Sequence, residues 1–215
     1  MMEPRLVGGH VALDLVNTVA PRAAGDRVEY LGTPADLLRW ARRVDLVTAA
    51  EADEVEAAWA GSSAGAGRAL EAAIDIREAT YDVLMAALQA AASGGAGSGD
   101  AASGAAGALT RLARRWADAA ARSVLVLGPP PGPAVVLSAG RPGELLIPDR
   151  LAHAAVELVR TVDLAQLRVC PVPEGGCGWL FLDRSRNGSR RWCAMEDCGT
   201  QAKSRRLTER RRARR

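Results

Sequence analysis

With 215 residues and 4% aromatics, the chain is long enough for one sizeable domain and a small appended one, and its core has to be built from Leu, Val, Ala and Ile. No uninterrupted apolar window approaches the roughly 18 residues of a membrane span, and no basic N-terminal run precedes an apolar one. A transmembrane helix is therefore excluded, no signal peptide is expected, and a cytoplasmic setting is expected. The net charge of +3 hides an asymmetry: residues 168–215 hold 13 Lys and Arg against 5 Asp and Glu, and residues 1–167 hold 15 against 20. Two segments with different roles are expected, 1–167 and 168–215.

The opening run LVGGHVALDLVNTVA reads as a short strand or a buried helical turn. On a helix His10, Asp14 and Asn17, at spacings of four and three, share one face and offer a candidate ligand site; the competing reading has Asp14 and Asn17 bonding nearby backbone. After a loop over 21–32, Thr33-Pro34-Ala35-Asp36 predicts an N-cap, a first-turn Pro and a first-turn acid, followed by the stripe Leu37, Leu38, Trp40, Ala41 and Val44. Thr48 and Glu51 form a capping box for a second helix through Trp59, stopped at Gly61. A third helix is predicted from about Arg68 to Ala91. The Gly/Ser/Ala run 93–107 buries too little apolar surface to offset its ordering entropy and is expected as a flexible loop.

Helix returns over 109–121, and two β-branched runs, 123–127 and 134–138, predict a hairpin around GPPPGP. A third short strand is expected at 144–147, then a helix from Pro148 to about Gln166. The expected class is α+β, mainly α: a helical N-terminal domain with a small β-hairpin, followed by a cysteine-bearing module. No Walker loop, GxGxxG, GxSxG or HExxH occurs, and His10 and His153 suggest no catalytic dyad, so no enzyme is expected.

The only four cysteines, Cys170, Cys177, Cys193 and Cys198, are separated by six, fifteen and four residues. Two short hooks joined by an excursion are the pattern of a tetrahedral structural zinc site; an iron–sulfur cluster has tighter spacings, and two disulfides suit a secreted chain. With four protein ligands the metal has no open position, so one structural Zn2+ per chain is expected. Few large apolar side chains surround it, so without metal the segment should not fold. Pro171 to Gly176 loosen the first knuckle, Gly178 to Asp183 reads as a strand, Asn187-Gly188 as a hairpin turn with Ser189 to Trp192 returning, and about 199–212 as a helix. Knuckle, hairpin and helix together make a treble-clef-like finger.

The run CGWLFLDRSRNGSRRWC followed by a second Cys-Gly resembles the CGNR zinc finger, and GGHVALDLVNT with LLRWARRVDLV resembles the ABATE domain found in front of it. The resemblance implies a stress-induced bacterial transcription regulator whose finger binds DNA. Where the family name requires Cys-Gly-Asn-Arg, this chain has Cys198-Gly199-Thr200-Gln201; ligand and glycine are kept, while an amide and a guanidinium at the start of the helix are lost. Candidate DNA contacts are Arg184, Arg186, Arg190 and Arg191 around the turn and Lys203, Arg205 and Arg206 on the helix. Arg210 to Arg215 alone would read as a solvated tail. A zinc-braced protein-interaction or RNA-binding module is the alternative, and the N-terminal domain is a candidate sensor of a small-molecule signal.

Overall fold

The computed structural model describes residues 3–22, 27–94 and 99–212, without the side chains of 99–101, Arg206, Arg210 and Arg211. In chain order the described elements are α1 (Val11–Val16), β1 (Val19–Ala20), β2 (Val28–Glu29), α2 (Pro34–Arg43), α3 (Ala49–Ala60), α4 (Ser63–Ala92) and α5 (Gly99–Ala121). There follow β3 (Val124–Leu127), β4 (Val135–Ser138), α6 (Leu146–Thr161), β5 (Leu167–Val169), β6 (Leu180–Leu182) and α7 (Thr200–Arg212). The protein is thus mainly helical, and its strands form antiparallel pairs β1–β2, β3–β4 and β5–β6. No described helix is long and apolar enough to cross a membrane. The chain divides into two compact units, Leu31–Thr161 and Met1–Tyr30 with Val162–Arg215, a partition different from the expected cut at 167/168.

The helical unit is specified locally by its caps. Thr33 Oγ1 accepts the Asp36 amide, and Thr48 and Glu51 cap each other reciprocally at the start of α3. Helices α4, α5 and α6 enclose a core of Ile76, Leu84, Leu112, Ile147 and Leu151, each at most 1% exposed. The 93–107 run, residues 144–147 and the end of α6 differ from what the sequence predicts. The Gly/Ser/Ala run is helical from Gly99 onward, residues 95–98 lying outside the description; α5 is held to α4 by buried Ala108 and Leu112 and by Arg111 and Arg115 on Asp75, contacts that composition does not reveal. Residues 144–147 are not a strand: Leu146 and Ile147 already belong to α6 and are buried, while the Glu144 carbonyl accepts Trp59 Nε1 at 3.0 Å. Helix α6 also ends sooner than expected, at Thr161.

Glu51 does more than cap. Its carboxylate takes two hydrogen bonds from the Arg150 guanidinium, at 2.8 and 2.5 Å, and that pairing holds its pKa down at about 2, against an ordinary 4.5. A depressed carboxylate contributes stability that is complete above the unfolded value and is lost as pH falls from 4.5 through about 2. Glu51→Gln should therefore cost roughly 2–3 kcal/mol at neutral pH, with the gap to wild type closing in acid. Urea titrations at pH 7 and pH 3 check this; an equal gap at both would contradict it.

The second unit is built around β5 and β6, paired from Leu167↔Leu182 to Val169↔Leu180. Residues from the start of the chain complete it. The Leu182 amide donates to the Gly8 carbonyl at 2.9 Å, Trp179 Nε1 to the Val19 carbonyl at 2.8 Å, and the Arg22 amide to the Cys177 carbonyl at 2.8 Å. Asn17, fully buried, donates to the Leu180 carbonyl at 2.8 Å and accepts its amide at 3.0 Å, acting as a side-chain rung on β6. A Cβ at Gly8 would sit 2.7 Å from Leu13 Cβ, so only glycine allows this close turn into α1.

Candidate metal centre and basic surface

Strand β5 delivers Cys170 and β6 leaves from Cys177, with the first knuckle folded between them. The Cys170 amide donates to the Trp179 carbonyl at 2.8 Å and the Gly178 amide returns to the Cys170 carbonyl at 3.1 Å. A one-turn 3-10 helix, Val172–Glu174, and Gly175 at φ +96° reverse the chain. At Gly176 an added Cβ would lie 2.7 Å from Cys170 Sγ and 2.8 Å from Pro171 N, so the six-residue knuckle closes only with glycine here. The second knuckle is a π-helical turn, Met195–Gly199, running directly into α7.

The four cysteines are free thiols, and their sulfurs all lie within 4.8 Å of one another. Cys177 and Cys193 Sγ are 3.4 Å apart, and Cys193 and Cys198 Sγ 3.7 Å. A tetrahedron with Zn–S bonds of about 2.3 Å has edges of about 3.8 Å, whereas a disulfide brings its sulfurs to about 2.05 Å, so the spacing fits a metal and not a bridge. Ionisation points the same way. Hydrogen bonds from Cys177, Cys193 and Cys198 pull the Cys170 thiol down, while hydrogen bonding to Cys170 pushes Cys177 and Cys193 up. Four thiolates packed this closely repel one another, and a cation at their centre offsets that repulsion. The donor chemistry fits one structural zinc, with Trp179 and Phe181 buried against the cysteines.

Among the described residues the segment after β6 is not the returning strand that Asn187-Gly188 suggested. It is a loop with a Ser185–Gly188 turn, closed by Asp183. The buried Asp183 carboxylate accepts Ser185 Oγ at 2.5 Å, Ser185 N at 3.0 Å and Arg190 N at 2.8 Å, and the Ser185 hydrogen bond holds it below the usual carboxylate range. The hairpin is instead β5–β6, around the first knuckle.

The expected basic contacts separate into two kinds. Arg190 is a brace. Its guanidinium lies 4.4 Å above the Phe181 ring and donates to the carbonyls of Trp192 at 3.2 Å, Val7 at 3.1 Å, Leu182 and Cys193. Arg191 is exposed, paired with Glu174 and stacked near Trp192. Arg184, Arg186, Lys203 and Arg205 are exposed and have no acidic partner among the described residues; the Arg206 side chain and the residues beyond Arg212 lie outside the description. Thr200 and Gln201 occupy the exposed first turn of α7, Thr200 bonded to the Met195 carbonyl at 3.2 Å.

His10, Asp14 and Asn17 each have structural partners. His10 Nδ1 accepts the Ala12 amide at 3.2 Å, Asp14 Oδ1 accepts the Gly8 amide at 2.9 Å, and Asn17 is spent on Leu180. The roles of Arg190 and Asn17 left no trace in the sequence, because their partners are backbone atoms set by the tertiary fold.

The ABATE model, described as "Putative stress-induced transcription regulator", matches residues 9–162, and the CGNR zinc finger model matches residues 166–211. No curated protein matches the chain. The ABATE match begins within residues that fold with the cysteines, so family domain and compact unit do not coincide. With most of its length matched by the one model and the cysteine unit by the other, the chain belongs to the ABATE family and carries a CGNR zinc finger with one structural zinc site.

Proposed function

We propose that the protein is a cytoplasmic bacterial transcription regulator that binds duplex DNA through its zinc unit, with Cys170, Cys177, Cys193 and Cys198 as the zinc ligands. The observation that supports this most is the exposure of Arg184 and Arg186, without acidic partners among the described residues, on a short loop fixed at both ends by Asp183 and Arg190. Guanidiniums held on a rigid base lose little freedom on meeting phosphate or guanine. Lys203 and Arg205 add cations on α7. The metal is structural, since four thiolates leave no position for a bound water, and no enzymatic role is proposed. The helical unit acts as the sensor of a small-molecule signal.

The protein-interaction alternative draws support from a groove of about 600 Å3 beside α7, where Met195 is 64% and Leu207 52% exposed. Salt dependence separates the two. If about four of these cations meet phosphates, log K for duplex DNA should fall with log salt at a slope of roughly −4. A slope near zero for the zinc-loaded protein would overturn the DNA reading.

A further inference from the structure

The helical unit contains a groove of about 510 Å3 between the end of α5, the last two turns of α6 and the β3–β4 hairpin. We propose that this groove, and not the His10–Asp14–Asn17 cluster, binds a small hydroxylated aromatic carboxylate. The inference rests on the sensor reading above for its biological meaning, though not for its chemistry.

One wall is apolar and open: Trp116 is 39% exposed, Leu125 72% and Leu137 49%. The hairpin strands VLVL and VVLS carry apolar side chains on both faces, so this surface is poorly solvated as it stands. The other wall is α6, where His153, Val156, Glu157, Arg160 and Thr161 fall at helical spacing along one face.

The polar groups have defined roles. Ser123 Oγ donates its single proton to the Ala119 carbonyl at 2.7 Å and accepts the Gly140 amide at 3.0 Å. Ser123 Oγ also shares a hydrogen bond of 2.9 Å with His153 Nε2, which leaves His153 Nδ1 without a partner among the described residues. The His153 and Trp116 rings meet in a T-shaped arrangement, with centroids 6.4 Å apart and planes at 76°, so the imidazole lines the groove next to an aromatic side chain.

Seven residues further on, about 10.5 Å along the helix axis, Arg160 is exposed and without an acidic partner among the described residues. A ligand bridging the two meets Nδ1 with a hydroxyl, lays an aromatic ring on Trp116 and the aliphatic hairpin, and places an anion at Arg160, where it competes with the exposed Glu157 three residues earlier on the same wall. These demands define a phenolic acid with its two polar groups at opposite ends.

The test is calorimetry on full-length, zinc-loaded protein with 4-hydroxycinnamate, cinnamate and methyl 4-hydroxycinnamate. The phenolic acid should bind saturably at one site, and loss of either the hydroxyl or the charge should weaken binding roughly tenfold. Arg160→Gln should abolish the preference for acid over ester and keep that for hydroxyl over hydrogen; His153→Phe should do the reverse. Should His153→Phe fail to fold, Arg160→Gln, at an exposed position, still decides. Absence of saturable binding, or an acid-to-ester ratio unchanged in Arg160→Gln, would overturn the site. DNA affinity that is the same with and without saturating phenolic acid would overturn the sensor reading alone.

Discussion

Removal of zinc, by chelation or by Cys193→Ser, should unfold the unit formed by the start of the chain and the cysteine segment together, while the helical unit Leu31–Thr161 keeps its structure. Structural zinc contributes an apparent ~10–16 kcal/mol in small finger domains, and little else replaces it here. The apolar side chains around the cysteines are few, chiefly Trp179, Phe181 and Trp192, and β5 and β6 pair over only three residues each. The expectation for residues before Tyr30 is the less obvious part. Gly8, Asn17, Val19 and Arg22 place backbone or side-chain hydrogen bonds on Cys177 to Leu182, so their order depends on a metal held by cysteines from Cys170 onward. Hydrogen exchange should show the Leu180 amide, bonded to Asn17, losing protection together with the Cys170 amide. Protection that survives at Leu180 after chelation would contradict this coupling, and full zinc stoichiometry in Cys193→Ser would refute the ligand set.

Arg190→Ala is expected to cost about 3–4 kcal/mol in the stability of the zinc unit, because it strips donors from four carbonyls and lifts a cation off Phe181. Arg190→Lys should recover little of this. A single ammonium cannot reproduce a planar fork that reaches Val7, Leu182, Trp192 and Cys193 at once. DNA affinity measured on the folded fraction should change far less than in variants of Arg184 or Arg186. If Arg190→Ala leaves thermal stability intact and removes DNA binding, Arg190 is a phosphate contact and the bracing role is wrong.

Local signals located much of this fold. Thr33-Pro34 and the Thr48–Glu51 box mark α2 and α3 because a cap is a contact between residues three apart, written in a short stretch of sequence. Cysteine spacing located the metal site for the same reason. What stayed hidden depends on distant partners. The low-complexity start of α5 offers little apolar surface of its own, and its helix is fixed by Asp75 and by burial of Ala108 and Leu112 in the helical unit. Asn187-Gly188 makes its turn, yet Asp183 and Arg190 satisfy the flanking backbone in place of a returning strand. Arg190 and Arg184 look alike in sequence; only Phe181 and the carbonyls around it distinguish brace from exposed cation. Asn17 bonds backbone, as one of its two readings had it, but nothing in its neighbourhood names the distant Leu180 as the partner.

Thr200 and Gln201 are both exposed on the first turn of α7, at the positions where the family name has Asn and Arg, and Thr200 Oγ1 donates to the Met195 carbonyl of the second knuckle at 3.2 Å.

The most direct test of the account is the affinity of full-length, zinc-loaded protein for duplex DNA, wild type against a double Arg184→Glu, Arg186→Glu variant that retains one zinc and an unchanged melting profile. If this loop meets phosphates, reversing its two charges should weaken binding about a hundredfold and make the salt dependence shallower. Equal affinity for the two proteins would contradict a DNA-binding role for this surface.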